Sequence, residues 1–354
     1  PGAFERVLFT SGGSESNESA LKLVRQAWLE EGRPEKSIII SRQQSYHGAS
    51  SGALSISGNQ FRRAPYAPYL FEALFIEPCY AYRFQQEGES AQEYAIRAAD
   101  QLEQAILSVG PERVAAFIAE PVVGATLGAV PAVSGYFKRI REICDRYDVF
   151  LIFDEIMCGS GRTGTFFSCE YDGVYPDLLT VAKGLGGGFQ PIGATFVSAR
   201  LVEAIQHGSG VLKHGFTYMG HPVACAAALE VQKIIKEQNL LANVSTQGEL
   251  LLEGLRSGLT DHPHVGDVRG RGLFVGVEIV ADKKTKTPFE DSAQIAARIK
   301  KAALDSGLMI YPGAGTADGV KGVHVLFSPA YTITTEQTGE IIKRFKKALN
   351  ALWN

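Results

Sequence analysis

Two short apolar runs, each ending in a charge, constrain this chain more than any other feature. Val149 to Phe153 delivers Asp154 and Glu155. Twenty-nine positions after Asp154, the run Leu178 to Ala182 delivers Lys183, with Gly184, Gly186, Gly187 and Gly188 behind it. Apolar runs of this length, bounded by glycine, read as buried strands. Taking an unpaired carboxylate or ammonium out of water is costly, so charges placed at such ends require a partner. The two strands therefore belong to a layered fold in which both ends meet something that compensates their charge.

The rest of the first two hundred residues repeats the pattern. Val7 to Thr10 is a predicted strand, followed by Ser11-Gly12-Gly13-Ser14 and a helix carrying Ala20, Leu21, Val24 and Trp28 on one stripe, with Gly32 as its stop. Ser37–Ser41, Val114–Ala119 and Ile192–Ser198 are further strands, and Ala91–Ser108 and Ser134–Tyr147 are helices. Prolines and aromatics between Gly58 and Gln92 predict loop around a short strand at Ala73–Ile76. Alternating helices with near-continuous apolar strands indicate the α/β class, a largely parallel sheet covered on both faces. Near residue 240 the rhythm changes. Helices at Leu241–Leu259, Ser292–Ser306 and Thr335–Leu352, with strands at Val265–Arg269, Leu273–Val280, Leu308–Tyr311 and Val323–Phe327, read as a compact α+β unit. The predicted division is a large domain over 1–239 and a small C-terminal domain over 240–354.

Composition excludes several classes. With 45% hydrophobic and 21% charged residues in 354, the chain is globular in composition and long enough for two domains. A net charge of −3 gives no electrostatic footprint for nucleic acid or an anionic membrane. Glu120 is the only charge from Val114 to Phe137, yet Pro121, Pro131 and three glycines break that stretch, so it is not read as a membrane span. The five cysteines form no CxxC pair and no zinc-like spacing, the usage of reduced thiols in a cytoplasmic protein. No Walker-type loop, HExxH or Cys/His cluster occurs, and no metal is expected. The chain opens at Pro1 rather than Met, so an N-terminal portion is expected to be missing.

In sheets of this kind ligands sit outside the carboxyl ends of the strands. Glu120, Asp154 and Lys183 all fall at such ends, which points to one shared site. A cofactor with a cationic ring nitrogen and an aldehyde compensates both charges, and pyridoxal phosphate is that cofactor. Asp154 is suited to keep the pyridine nitrogen protonated, which makes the ring an electron sink. Lys183 is suited to carry the aldehyde as an imine and to act as base once substrate displaces it. Gly12-Gly13 at a helix start leaves backbone N–H groups to cradle a phosphate; an ordinary Ser-capped helix is the alternative. Tyr46, in Tyr46-His47-Gly48, is placed to stack on a planar ring with Ile156 on the opposite face, or else the pair serves packing and capping. Gly159, Gly161 and Gly164 match GxGxxG after a strand, but no helical period opens at the third glycine, and a dinucleotide site is rejected.

The segments FTSGGSESNESALKLVR, YHG, IAEPVVG, FDEIMCGSGRTG, AKGLGGG and HGFTYMGHPVACAAAL, in that order, resemble the class III pyridoxal-phosphate-dependent aminotransferases over nearly the whole chain. The C-terminal segment is similar to the omega-amine:pyruvate-like branch. The resemblance implies fold type I: a large domain with a mostly parallel, seven-stranded-type sheet, a small C-terminal domain, and a homodimer with sites at its interface. It implies Lys183 as the Schiff-base lysine, Asp154 as partner of the ring nitrogen, and Gly13 and Ser14 on the phosphate. Tyr46 would stack, His47, Glu120 and Ile156 would line the cofactor site, and Thr217 would reach the phosphate of the partner subunit. The family also carries an N-terminal segment that helps build the pocket and is not in this sequence. Members using ornithine, acetylornithine or 4-aminobutyrate typically carry Gln where Met157 stands, which argues against those donors. No arginine for a substrate carboxylate stands near Tyr311. The expected activity is transfer of an amino group from an amine or omega-amino acid to a 2-oxo acid such as pyruvate. A decarboxylase, racemase or aminomutase with the same cofactor residues is one alternative, and a catalytically inactive homologue with a structural role is another.

Overall fold

The computed structural model describes residues 4–353. Its strands are β1 (Arg6–Thr10), β2 (Ile38–Arg42), β3 (Leu74–Ile76), β4 (Val114–Ala119), β5 (Val122–Val123), β6 (Val130–Pro131), β7 (Phe150–Asp154), β8 (Leu178–Val181), β9 (Gly193–Val197), β10 (Val265–Arg271), β11 (Phe274–Ile279), β12 (Tyr311–Ala314) and β13 (Val323–Phe327). The helices are α1 (Gly13–Glu30), α2 (Ser51–Ser55), α3 (Gln60–Arg63), α4 (Ala81–Phe84), α5 (Ala91–Val109), α6 (Tyr136–Arg146), α7 (Ala199–His207), α8 (Pro222–Glu237), α9 (Leu240–Leu259), α10 (Ser292–Asp305) and α11 (Thr335–Trp353).

Two compact units share the chain. One takes the residues up to Pro121, Ala132–Ser160 and Cys169–Ile234; the other takes Val122–Pro131, Gly161–Ser168 and the chain from Ile235. The sequence breaks once, at 239/240, whereas in the structure the short segments 122–131 and 161–168 group with the second unit. Each is an aperiodic connection leaving a strand end, and nothing in its residue pattern says which unit it joins.

The first unit is built on a seven-stranded sheet of order β1-β9-β8-β7-β4-β2-β3. Pairing is parallel from β3 through β8, and β9 runs antiparallel to both β8 and β1, so β9 alone is reversed. Strands β4, β7 and β8 are buried at every position, which is why they read as continuous apolar runs instead of alternating ones. One face is covered by the stripe Ala20, Leu23, Val24, Ala27 and Trp28 of α1, packed with Leu201 and Ile205 of α7 on Ile118, Ile152 and Leu178. Helix α7 was not expected from the sequence, although Leu201 and Ile205, four residues apart, form its buried stripe. Short helices α3 and α4, with a 3-10 turn at Ala64–Tyr69, occupy ground expected to be mostly loop.

The amino edge of this sheet is held by one buried cation. Lys36 is fully buried just before β2, and its Nζ donates to the carbonyl oxygens of Val114 (2.9 Å) and Asp148 (2.6 Å), at the starts of β4 and β7. Further donations reach Pro111 O at 3.2 Å and Tyr147 O at 3.4 Å. The ammonium also lies 4.6 Å from the centre of the Trp28 ring, whose indole N–H donates to Ala115 O. Burial lowers its pKa to about 8, so it remains a charged donor at neutral pH. Asp148 adds ion pairs with Arg33 and Arg200.

The second unit carries the four-stranded antiparallel sheet β10-β11-β13-β12 and the β5–β6 hairpin. Leu251 and Leu255 of α9, Ile299 of α10 and Phe345 of α11 pack with Val275, Val277 and Val325. Strand β12 begins at Tyr311, three residues later than expected. Gly307, at φ +74°, ends α10 in a Schellman turn: Leu308 N–H donates to Ala303 O and Gly307 N–H to Leu304 O. Leu308, read as the start of the strand, thus belongs to the helix cap, and Met309 and Ile310 connect it to β12.

Replacing Lys36 by Met keeps the stem and removes the donor, orphaning two well-bonded buried carbonyls. Urea unfolding is expected to show a loss of about 2–4 kcal/mol; a loss below about 0.5 kcal/mol, the usual range for an unimportant surface position, would remove Lys36 from this role.

Candidate active site

Asp154 ends β7 with its carboxylate buried, 3% exposed. Three donors hold it. Asn17 Nδ2 and His47 Nδ1 each donate to Oδ2 at 2.8 Å, and the Ile156 backbone N–H donates to Oδ1 at 3.0 Å. The His47 ring is fully engaged, because its Nε2 lies 3.2 Å from Ser41 Oγ. Asn17 is engaged just as completely: Nδ2 also donates to His47 O at 2.6 Å, and Oδ1 accepts from Thr180 Oγ1 at 2.9 Å. Thr180 is the register partner of Asp154 across β7 and β8. One amide thus ties together α1, the 46–48 turn and both strand ends.

Lys183 follows three residues after Thr180, at the start of a 3-10 turn. Its φ is +40°, a left-handed conformation that costs a non-glycine residue about 1–3 kcal/mol. Gly187 and Gly188 continue left-handed at +58° and +83°, where glycine is needed to let the chain double back. Solvent reaches Lys183, but enough protein surrounds the ammonium that burial lowers its pKa, with the carboxylates of Asp154 and Glu120 pulling the other way. Glu120 follows the end of β4, and its Oε1 accepts the Tyr46 backbone N–H at 3.1 Å. The ends of β4, β7 and β8 therefore present two carboxylates and one amine on one edge of the sheet.

The other expected residues fall around this edge. Helix α1 starts at Gly13 with Gly12 before it and no side-chain cap. A Cβ at Gly13 would lie 2.8 Å from Ile156 Cδ1, so glycine here lets the helix start approach the loop after β7. Ser14 Oγ accepts the Ala49 N–H at 3.0 Å, joining the helix start to the 46–48 turn. Tyr46 is half-buried, with the Arg62 guanidinium carbon 4.5 Å from its ring centre. His47, expected to line the cofactor site, stands behind Asp154 with both ring nitrogens engaged. Thr217 lies exposed in the loop before α8 and makes no hydrogen bond to these residues among those described. Gly159 to Gly164 is a run of turns and bends, and no α-helix opens at its third glycine.

Asn17, which holds Asp154, was not among the expected site residues. Its signal is there: Asn17, Ala20, Val24 and Trp28 share one helical stripe, so an amide occupies a core-facing position. Thr180 likewise sits inside an apolar strand, where a hydroxyl needs a partner.

Residues 1–349 match the class III aminotransferase family. The chain belongs to it. Among class III aminotransferases and related proteins, it is 46% identical over 358 residues to an aminotransferase of Gibberella zeae, covering 98% of this chain and 69% of that one. It is 39% identical over 350 residues to gamma aminobutyrate transaminase 3, chloroplastic, of Solanum lycopersicum, covering 97% of this chain and 65% of that one. The solved omega-transaminase of Pseudomonas jessenii in complex with PMP superposes with a TM-score of 0.92 at 36% identity, over 99% of this chain and 76% of that one. The fold is the α/β type I fold of pyridoxal-phosphate enzymes, as the first-described sheet order and this superposition show. Among the described residues, no helix is long and apolar enough to cross a membrane.

Two outcomes follow from this geometry. Asn17→Ala strands the Thr180 hydroxyl and removes one of the two donors on Asp154 Oδ2, and urea unfolding is expected to show a loss of about 2–3 kcal/mol; an unchanged midpoint would mean that Asp154 does not lean on it. In protein stripped of aldehydes with hydroxylamine, acylation of Lys183 followed by mass spectrometry is expected to titrate below the ordinary lysine pKa of 10.5. Glu120→Gln removes a charge that raises this pKa, so the midpoint should fall further; an upward shift contradicts the assignment.

Proposed function

We propose that this protein is a pyridoxal-phosphate-dependent transaminase that moves an amino group from an amine or omega-amino acid to a 2-oxo acid such as pyruvate. The observation that carries the reading is the pairing at the end of β7 and β8. A buried carboxylate with two side-chain donors on one oxygen stands one strand from a lysine held at positive φ. Asp154 Oδ1 accepts only one hydrogen bond from Ile156 N–H among those described, leaving lone-pair capacity for a further donor. The donor set fits pyridoxal phosphate. The protonated ring nitrogen would be held by Asp154, the aldehyde carbon by Lys183 Nζ, and the phosphate by the uncapped start of α1 at Gly13 and Ser14.

When bound, the cofactor supplies an electron sink that makes the substrate Cα–H acidic. The protein's own groups do the rest. Asn17 and His47 hold Asp154 aimed by donating to its Oδ2. Lys183 Nζ would take a proton from the substrate carbon and return it, and its lowered pKa favours the free amine that this requires. Tyr46 and Ile156 would hold the ring from its two faces, while Glu120 fixes the Tyr46 backbone.

The reading extends to a cytoplasmic homodimer. Five free cysteines favour a reducing compartment. Exposed Thr217, with the neighbouring Tyr218 and Met219 also exposed, favours a second copy against that loop. Tomato relatives named for gamma aminobutyrate, 39% identical to this chain, favour omega-amino acids, 4-aminobutyrate included, among the donors.

The test is spectroscopic. Purified protein should show an aldehyde-form absorbance that borohydride bleaches, that an amine donor converts to the amine form, and that pyruvate restores. Lys183→Ala should abolish borohydride fixation and lower turnover by about 10²–10⁴-fold. Asp154→Asn should retain fixation while lowering turnover by about 10²–10³-fold, the scale of one lost electrostatic stabiliser. Turnover of an amino acid without any acceptor would reject transamination.

A further inference from the structure

We infer that Arg62 is the specificity-determining residue that receives a substrate carboxylate; the inference rests on the transaminase reading. Its guanidinium stacks on Tyr46 at 4.5 Å and has no hydrogen bond or ion pair among the described residues. An arginine held half-buried without an anion is unusual, because its five donors favour a planar bidentate acceptor. The other arginine adjoining this turn is already used: Arg42 donates to Glu120 O. Arg63 points elsewhere, with its guanidinium 4.7 Å from the ring of Phe75.

The position of Arg62 is built, not incidental. Asn59 caps α3 by accepting the Arg62 backbone N–H at 3.1 Å, and Asn59 N–H donates to Ser45 O at 3.2 Å. Gly58 N–H donates to Ser45 Oγ at 3.0 Å. The helix that carries Arg62 is therefore pinned to the turn that carries Tyr46 and His47, and through His47 to Asp154. Arg62 also lines an open cavity of about 470 Å³ together with Tyr46, Leu54, Phe61, Tyr66 and Tyr69. A volume of that size holds a small acid, with the aromatic wall against its carbon chain and the guanidinium against its carboxylate. Every 2-oxo acid acceptor carries such a carboxylate, as does every omega-amino acid donor, whereas a simple amine does not.

The test uses cofactor-loaded wild type, Arg62→Met and Arg62→Lys. The first readout is calorimetric binding of glutarate, a dicarboxylate that cannot react. The second is the half-reaction with 4-aminobutyrate against n-butylamine, which differ only in the carboxylate. Arg62→Met is expected to weaken glutarate and 4-aminobutyrate by about 10-fold or more and to leave n-butylamine within about 2-fold, with Arg62→Lys between. Equal losses for both amines, or no loss for either, would overturn the assignment. So would equal losses with a changed molecular size, which would place Arg62 in an interface between copies. If wild type transfers no amino group to any acceptor, the transaminase reading fails, and the glutarate measurement still decides whether Arg62 holds a carboxylate.

Discussion

A carboxylate cannot be buried at the end of a strand without donors, and the first unit is arranged around meeting that demand at Asp154. Asn17 comes from α1, His47 from the turn after β2, and the Ile156 N–H from the loop after β7. Three separate segments converge on one residue, and each of the two side chains is itself held by a second partner. Such a network is stable only when complete, since a half-satisfied buried group is penalised in a low dielectric. The register of β7 against β8 is fixed by the same network, because Thr180 opposite Asp154 donates to Asn17.

The sheet has two edges with different duties. At the amino edge Lys36 gathers carbonyl oxygens from the starts of β4 and β7, and Asp148 gathers Arg33 and Arg200. Those charges have their partners within the edge itself, and Lys36, Arg33 and Arg200 also lie over the Trp28 ring. At the carboxyl edge the charges are held but not exhausted: Asp154 keeps acceptor capacity and Lys183 is reached by solvent. Parallel topology makes this separation possible, since it collects all the carboxyl ends on one side. Stability gathered at the first edge tolerates strain at the second, where Lys183 at φ +40° is a local cost of order 1–3 kcal/mol.

Much of this was legible from residue order alone. Asp154, Glu120 and Lys183 could be found because burial forces strands β4, β7 and β8 to be wholly apolar, so the first charge after each stands out. β4 and β13 were read with the bounds the structure gives them, and α5 and α11 to within a residue. Asn17 was not read, because a polar residue in a helix's first turns resembles a capping or solvent-facing position, and only its stripe-mates Ala20, Val24 and Trp28 betray it. The role of His47 was half legible. Its place beside Tyr46 was clear, but that it supports Asp154 from behind depends on a contact across 107 residues. Segments 122–131 and 161–168 were not assigned to the second unit, for neither carries a periodic pattern.

Residues at strand ends determine which cofactor chemistry is available, and several reactions share them, so they cannot by themselves select the substrate. Selection must come from groups around the reacting carbon, and these lie on connections with little periodicity. The stretch from Gly58 to Leu70 illustrates the point. It reads as featureless because prolines and aromatics break any period, yet in the structure its capped helix is bonded back to Ser45 and carries a cation onto the face of Tyr46. A loop that merely connects β2 to β3 would have no reason to hold an unpaired guanidinium against an aromatic ring beside two strand-end carboxylates. In the proposed reading the rigid sheet edge fixes the chemistry, and this tethered connection decides which acids the chemistry is applied to.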